Sequence, residues 1–294
     1  MSFRIITDSS SNLVASDVEK LGIDIISYTF NVLGKDYKCY NPNSDGVEEA
    51  KRYYNILREG AEIKTSLINA DKFLSYFESV MAEGEDVLFI GMSSGVSGSV
   101  QAARMAAEEA MEKYEGRNCI VVDSLCASLG EAILVIEAVK MRDEGKSLTE
   151  TAVRIERMRT SIRQEFTVDD LKYLKRGGRI SPATAMLGGM LNIKPLLYGT
   201  DSGKIESFGK VRGRMKALTA LADSCAENLR SPDDLICISH ADCENAANML
   251  VDMIKDRIPA NNFMIRYYDL CTGAHIGPDT VAIFYMSRNG RKIK

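Results

Sequence analysis

Short apolar runs separated by amphipathic stretches set the rhythm of the first half of the chain. Phe3 to Thr7 reads as a strand, followed by the polar turn Asp8-Ser9-Ser10-Ser11-Asn12 and a short helix stopped at Gly22. Ile23 to Phe30 reads as a second strand and Gly34-Lys35-Asp36 as a turn. Between Asp45 and Arg58, Val47, Ala50, Tyr54 and Leu57 recur at helical spacing, with Gly60 as a left-handed stop. Lys64 to Ile68 reads as a loop, and Asn69 caps a helix that ends near Gly84. Val87-Leu88-Phe89-Ile90 is continuously apolar, as a strand covered on both faces requires. The loop Gly91 to Gly98 then leads into a helix from Ser99 to Tyr114. Strand Cys119 to Val122, turn Asp123-Ser124, a helix through Arg142 and a helix from the cap Ser147 to Met158 follow. Repeated strand-turn-helix units predict an α/β domain whose parallel sheet is flanked by helices.

After Ser161 the rhythm changes. Arg176-Gly177-Gly178-Arg179 and Gly199-Thr200-Asp201-Ser202-Gly203 introduce hairpins and loops. Strands are expected at Glu165 to Val168, Ile193 to Tyr198, Ile205 to Phe208, Leu235 to Ser239, Met264 to Tyr268 and Val281 to Met286. Long helices are expected at Met215 to Asn228 and Asn245 to Asp256. The prediction for this half is a mixed sheet backed by helices. A chain of 294 residues fits two domains at roughly 100–200 residues each. We place them at 1–162 and 163–294.

Composition narrows the function. No apolar run approaches the ~18 residues of a membrane span, and the N-terminus lacks the pattern of a secretory signal, so a cytoplasmic location is expected. Seven scattered cysteines without a C-x-x-C pair indicate reduced thiols. Two histidines, His240 and His275, argue against a zinc site of His/Cys spacing, and no metal or cofactor is expected. A net charge of -4 argues against nucleic-acid binding, yet Lys172 to Lys216 holds ten basic residues against two acidic ones. Its arginines lie on Gly-rich loops, which suit an acidic partner or phosphates as well as a solvated face.

The loop at residues 91 to 99 carries the strongest local signal. Small residues between a strand and a helix suit an anion at the helix start, or simply a tight turn. Gly91-Met92-Ser93-Ser94-Gly95 also fits the G-x-S-x-G nucleophile elbow of a serine hydrolase, with Asp242 or Asp269 and His275 in the required order. A binder of sugar or nucleotide phosphates would use the same loop. Thr65 and Ser66 read as ordinary turn hydroxyls, and His275, in Gly273-Ala274-His275-Ile276-Gly277-Pro278, reads as a loop residue or a functional one.

Taken together the motifs resemble the DegV family of fatty-acid-binding proteins. The matching pieces are Asp8-Ser9-Ser10, Lys64-Thr65-Ser66, Ser93 to Ser99, Val122-Asp123-Ser124 with Ala127-Ser128, Tyr173 to Ile180, Lys210 to Arg214, and His275-Ile276-Gly277-Pro278. The family usually has Thr-Ser-Gln-Pro where this chain has Thr65-Ser66-Leu67-Ile68. The resemblance implies a non-enzymatic carrier with one long-chain fatty acid in a tunnel between two α/β domains. Its carboxylate would be held by Thr65, Ser94 and His275. A separate fatty-acid kinase would phosphorylate that carboxylate for phospholipid synthesis, docking on Arg176, Arg179, Arg212 and Arg214, with transient contact at a membrane surface. Phe166, Leu171, Met186, Leu187, Met190, Leu191, Ile193 and Leu196 are the apolar candidates for the tunnel or the core.

Overall fold

The computed structural model describes residues 3–185 and 192–292. In chain order the first half contains β1 (Phe3–Asp8), α1 (Ala15–Leu21), β2 (Asp24–Ile26), β3 (Thr29–Val32), β4 (Lys35–Lys38), α2 (Val47–Arg58), β5 (Ile63–Ser66), α3 (Ala70–Ala82), β6 (Asp86–Gly91), α4 (Ser99–Lys113), β7 (Cys119–Asp123), α5 (Leu129–Asp143) and α6 (Leu148–Met158). The second half contains β8 (Ile162–Thr167), α7 (Lys172–Arg176), α8 (Pro182–Ala185), β9 (Ile193–Gly199), β10 (Ile205–Arg212), α9 (Arg214–Asn228), β11 (Ile236–His240), α10 (Glu244–Lys255), β12 (Phe263–Tyr267), α11 (Leu270–Ile276) and β13 (Val281–Met286).

Among the described residues three sheets form. A parallel sheet runs β2-β1-β6-β7, a mixed sheet runs β10-β9-β8-β13-β11-β12, and a small antiparallel sheet runs β4-β3-β5. Side chains of alternate strand positions point to opposite faces, and this builds the layers. Ile6 and Phe89 face α3 and α4, where they meet Phe73, Phe77 and Ala103. Ile5, Leu88 and Ile90 face α5 and α6. The mixed sheet repeats the logic, with Val281, Ile283 and Tyr285 on α9 and α10 and Ala282, Phe284 and Met286 in the cluster that contains α5. Helix α5 therefore serves both sheets, and this explains why most of its circumference is buried.

Local chemistry sets the ends as the sequence reads. The Ser147 hydroxyl accepts from Glu150 N while Glu150 reaches back, a capping box. Asn69 caps α3 through Lys72 N at 3.1 Å. Of Gly34-Lys35-Asp36 only Gly34 is in a turn, since Lys35–Lys38 forms β4, and other readings change as well. The apolar run Ile23 to Phe30 is two strands in different sheets, β2 and β3. Ser27 breaks it: its hydroxyl donates to Tyr28 O at 2.8 Å and accepts from Tyr40 N at 3.0 Å, turning the chain between the sheets. The segment Lys64 to Ile68 is not wholly a loop, because Ile63–Ser66 pairs with β3 from Val32↔Ile63 to Thr29↔Ser66.

Candidate functional site

The order β2-β1-β6-β7 reverses direction between β1 and β6. In such sheets the crevice beyond the carboxyl ends of those two strands is where ligands bind. Here the crevice is held by Asp8, the last residue of β1, whose buried carboxylate accepts from Ser10 N at 2.9 Å and Met92 N at 3.0 Å. Burial pushes this carboxyl above its ordinary range. The loop after β6 is fixed at its centre by Ser93, which donates from Oγ to Gly203 O at 2.8 Å and from N to Cys126 O at 2.7 Å. A side chain at Gly95 would strike the Gly203 backbone, so the loop and the β9–β10 turn interlock only as glycines. Ser97 Oγ lies 3.4 Å from the Tyr28 hydroxyl and 3.1 Å from Ser99 Oγ, while Ser99 Oγ accepts from Ile68 N at 3.2 Å.

Across the crevice, Thr65 Oγ1 and His275 Nε2 are hydrogen-bonded at 2.9 Å. Thr65 is fixed by β5, opposite Phe30. His275 belongs to the last turn of α11, not to an irregular loop. Three ties place that helix. Asp269 caps it through Cys271 N at 2.9 Å and Thr272 N at 3.0 Å. Asp269 N donates to Asn12 Oδ1 at 3.0 Å, and Tyr54 donates to Tyr268 O at 3.2 Å. Gly177 lies against the imidazole, and a methyl group there would overlap the ring. Burial, then the positive charges of Arg179 and Arg176, lower the His275 pKa to about 4. At neutral pH the imidazole is uncharged, with one nitrogen able to donate and one to accept.

Between these walls lies a cavity of about 250 Å³. This approaches the lower end of the ~300–1,000 Å³ common for ligand pockets. Its lining is mainly apolar and drawn from both halves of the chain, including Met92, Val96, Phe166, Leu174, Ile276 and Phe284. Its polar lining includes two hydrogen-bonded pairs, Thr65 with His275 and Tyr28 with Ser97, together with Ser66, Ser93, Gln164, Arg179 and Thr272.

The residues named from sequence divide as follows. Thr65 and His275 meet. Ser94 does not join them: its side chain is exposed and does not line the cavity, because its backbone N donates to Asp123 Oδ1 at 3.2 Å and turns it outward. Ser93 and Ser97 line the cavity in its place. Arg179 is a cavity residue, half-buried with Nε donating to Val96 O at 3.1 Å. Arg176 is exposed over the Tyr173 ring, its guanidinium 5.5 Å from the centroid. Arg212 is exposed at the end of β10. Arg214 is drawn inward, with Nη2 3.5 Å from Cys243 Sγ. Phe166 lines the cavity, Leu171 and Leu196 are buried, and Ile193 is half-buried. Met186, Leu187, Met190 and Leu191 lie outside the described residues.

A hydrolase relay is not assembled. Ser93 donates to a carbonyl, His275 bonds Thr65, Asp269 caps its own helix, and Asp242 pairs with Arg58. Tyr28, Ser97 and the cavity role of Arg179 escaped sequence reasoning. Ser97 lay within a flagged loop and Arg179 within a flagged basic tract, but Tyr28 carries no motif.

The fold and cavity together define an α/β protein with a mostly apolar cavity whose wall carries hydroxyl groups and an imidazole. The family model described as "Uncharacterised protein, DegV family" matches residues 2–288, and this chain belongs to the DegV family. It is 36% identical over 285 residues to the DegV domain-containing protein CPE0026 of Clostridium perfringens, covering 97% of each chain. Among solved structures it is similar to a DegV family protein from Thermus thermophilus described for its fatty acid binding, with TM-score 0.85, 30% identity, and coverage of 98% of this chain and 100% of that one. A DegV lipid-binding protein from Thermotoga maritima superposes with TM-score 0.85 at 26% identity, covering 99% of this chain and 100% of that one.

Proposed function

We propose that this protein binds one long-chain fatty acid in the cavity at the β1–β6 switch point and presents its carboxylate to a separate fatty-acid kinase. The observation that carries the reading is the Thr65–His275 pair, 2.9 Å apart on the wall of an apolar cavity. A carboxylate removed from water must find donors. Thr65, the neutral His275 and the Tyr28 and Ser97 hydroxyls supply them, and Arg179 supplies a charge. The tail supplies the affinity: at ~0.8 kcal/mol per methylene, about fourteen buried methylenes give on the order of 11 kcal/mol before ordering costs. Relatives described as binding fatty acid or lipid point to the same ligand.

Presentation to a kinase rests on the exposed cations. Arg176 next to the His275 wall and Arg212 on β10 are the docking residues in this reading, whereas Arg179 faces the ligand and Arg214 is engaged with Cys243. Solvent extraction and mass spectrometry of the purified protein should yield fatty acid at about one per chain. Rapid labelling of Ser93 by a fluorophosphonate, with no lipid released, would favour a hydrolase instead. Arg212→Glu should lower acyl-phosphate formation with the kinase and leave lipid binding intact; loss of lipid binding in that variant contradicts the docking assignment.

A further inference from the structure

A second concavity of about 650 Å³ is lined by Cys39, Asp269, Tyr268 and His240 among others. It shares Tyr268 with the first cavity. Cys39, Asp269 and Cys271 converge, with one ligand atom from each lying within 4.8 Å of the others. Cys39 and Asp269 line the outer cleft, and Cys271 lines the inner cavity. We propose that Cys39, Asp269 and Cys271 form a binding site for a thiophilic divalent cation of the zinc class, set in the partition between the two cavities.

Four observations support this. The donor set is two sulfurs and a carboxylate, a combination that zinc accepts. Asp269 is buried; its Oδ1 is satisfied by two backbone N–H groups, and its Oδ2 finds no hydrogen-bond partner of good geometry among the described residues, the neighbouring Thr272 hydroxyl being likewise unpaired. A buried carboxylate oxygen without a partner is costly, and a cation relieves that cost. Zinc–sulfur bonds of ~2.3 Å and zinc–oxygen bonds of ~2.0–2.2 Å place tetrahedral ligand atoms about 3.5–3.8 Å apart, within reach by small side-chain rotations. The outer cleft provides an entry path and room for a water as fourth ligand.

No spacing motif announces such a site, since Cys39 follows β4 and the other two ligands begin α11. A bound ion would pin the segment after β4 to the start of the helix that carries His275. The test is titration of the reduced, full-length protein with Co2+ and then Zn2+. One equivalent of Co2+ should give a thiolate-to-cobalt charge-transfer band, which Zn2+ abolishes. Cys39→Ser and Cys271→Ser should remove the band and weaken Zn2+ binding by at least about 100-fold. Asp269→Asn should weaken it less, and Cys119→Ser, on distant β7, should leave it unchanged. Absence of the band, or a band that survives Cys39→Ser, overturns the proposal. Extracted fatty acid, measured on the same samples, reports separately on the lipid reading, on which the metal site does not depend.

Discussion

Thr65 and His275 come from positions far apart in the chain, yet each is fixed by its own element before any ligand arrives. Removing either partner should weaken fatty acid binding by roughly 10- to 100-fold, the cost of one hydrogen bond to a charged group. Displacement of a fluorescent fatty acid by unlabelled ligand, in Thr65→Ala and His275→Gln, measures this. The lowered pKa of His275 has a stability consequence as well. The unfolded chain takes up this proton as pH falls through about 6.5, and the folded chain only near pH 4. Between those values the unfolded state binds more protons, so this contribution is intact above pH 6.5 and is lost as pH falls toward 4. His275→Gln should flatten the slope of unfolding free energy against pH across that window, measured by urea denaturation. Ser94 shows where residue-level reading stops. A motif identifies the loop, but the tertiary bonds that hold it, Ser93 to Gly203 and Ser94 N to Asp123 among them, are what accompany the inward placement of Ser93 and Ser97 and the exposure of Ser94.

At the scale of elements, Gly177 shows how closely α7 packs against the helix that carries His275. Its φ is -72°, which alanine adopts without strain, so the backbone tolerates Gly177→Ala. The added methyl group meets the His275 ring. The ring must shift to admit the methyl group, which breaks its register with Thr65, so Gly177→Ala should lower both fatty acid affinity and thermal stability, measured by ligand displacement and by thermal unfolding. Elements with a local cause were legible from sequence: the continuous run of β6, the Asn69 cap of α3 and the Ser147 capping box of α6. Elements decided by distant partners were not. Ile63–Ser66 looks like a loop because its strand character comes from pairing with β3. The α11 helix was hidden because Gly273, Gly277 and Pro278 read as turn residues, although Gly273 is needed where the Tyr54 ring packs against the helix.

At the scale of the whole molecule, α5 carries buried contacts to both large sheets, and the cavity takes its lining from both halves. The sequence made the two kinds of sheet legible through a change in rhythm near residue 162. It did not show that a helix from the second half, α11, would pack on α2, β3 and β5 of the first. That crossing brings His275 to Thr65, and no local pattern encodes it. Among the described residues no helix is long and apolar enough to cross a membrane. The most direct test of the central claim is a crystal structure of the purified protein with its copurified or added fatty acid. The tail should fill the cavity, with the carboxylate within hydrogen-bonding distance of Thr65 and His275. A carboxylate bound elsewhere, or a fatty acid lying outside this cavity, would contradict it.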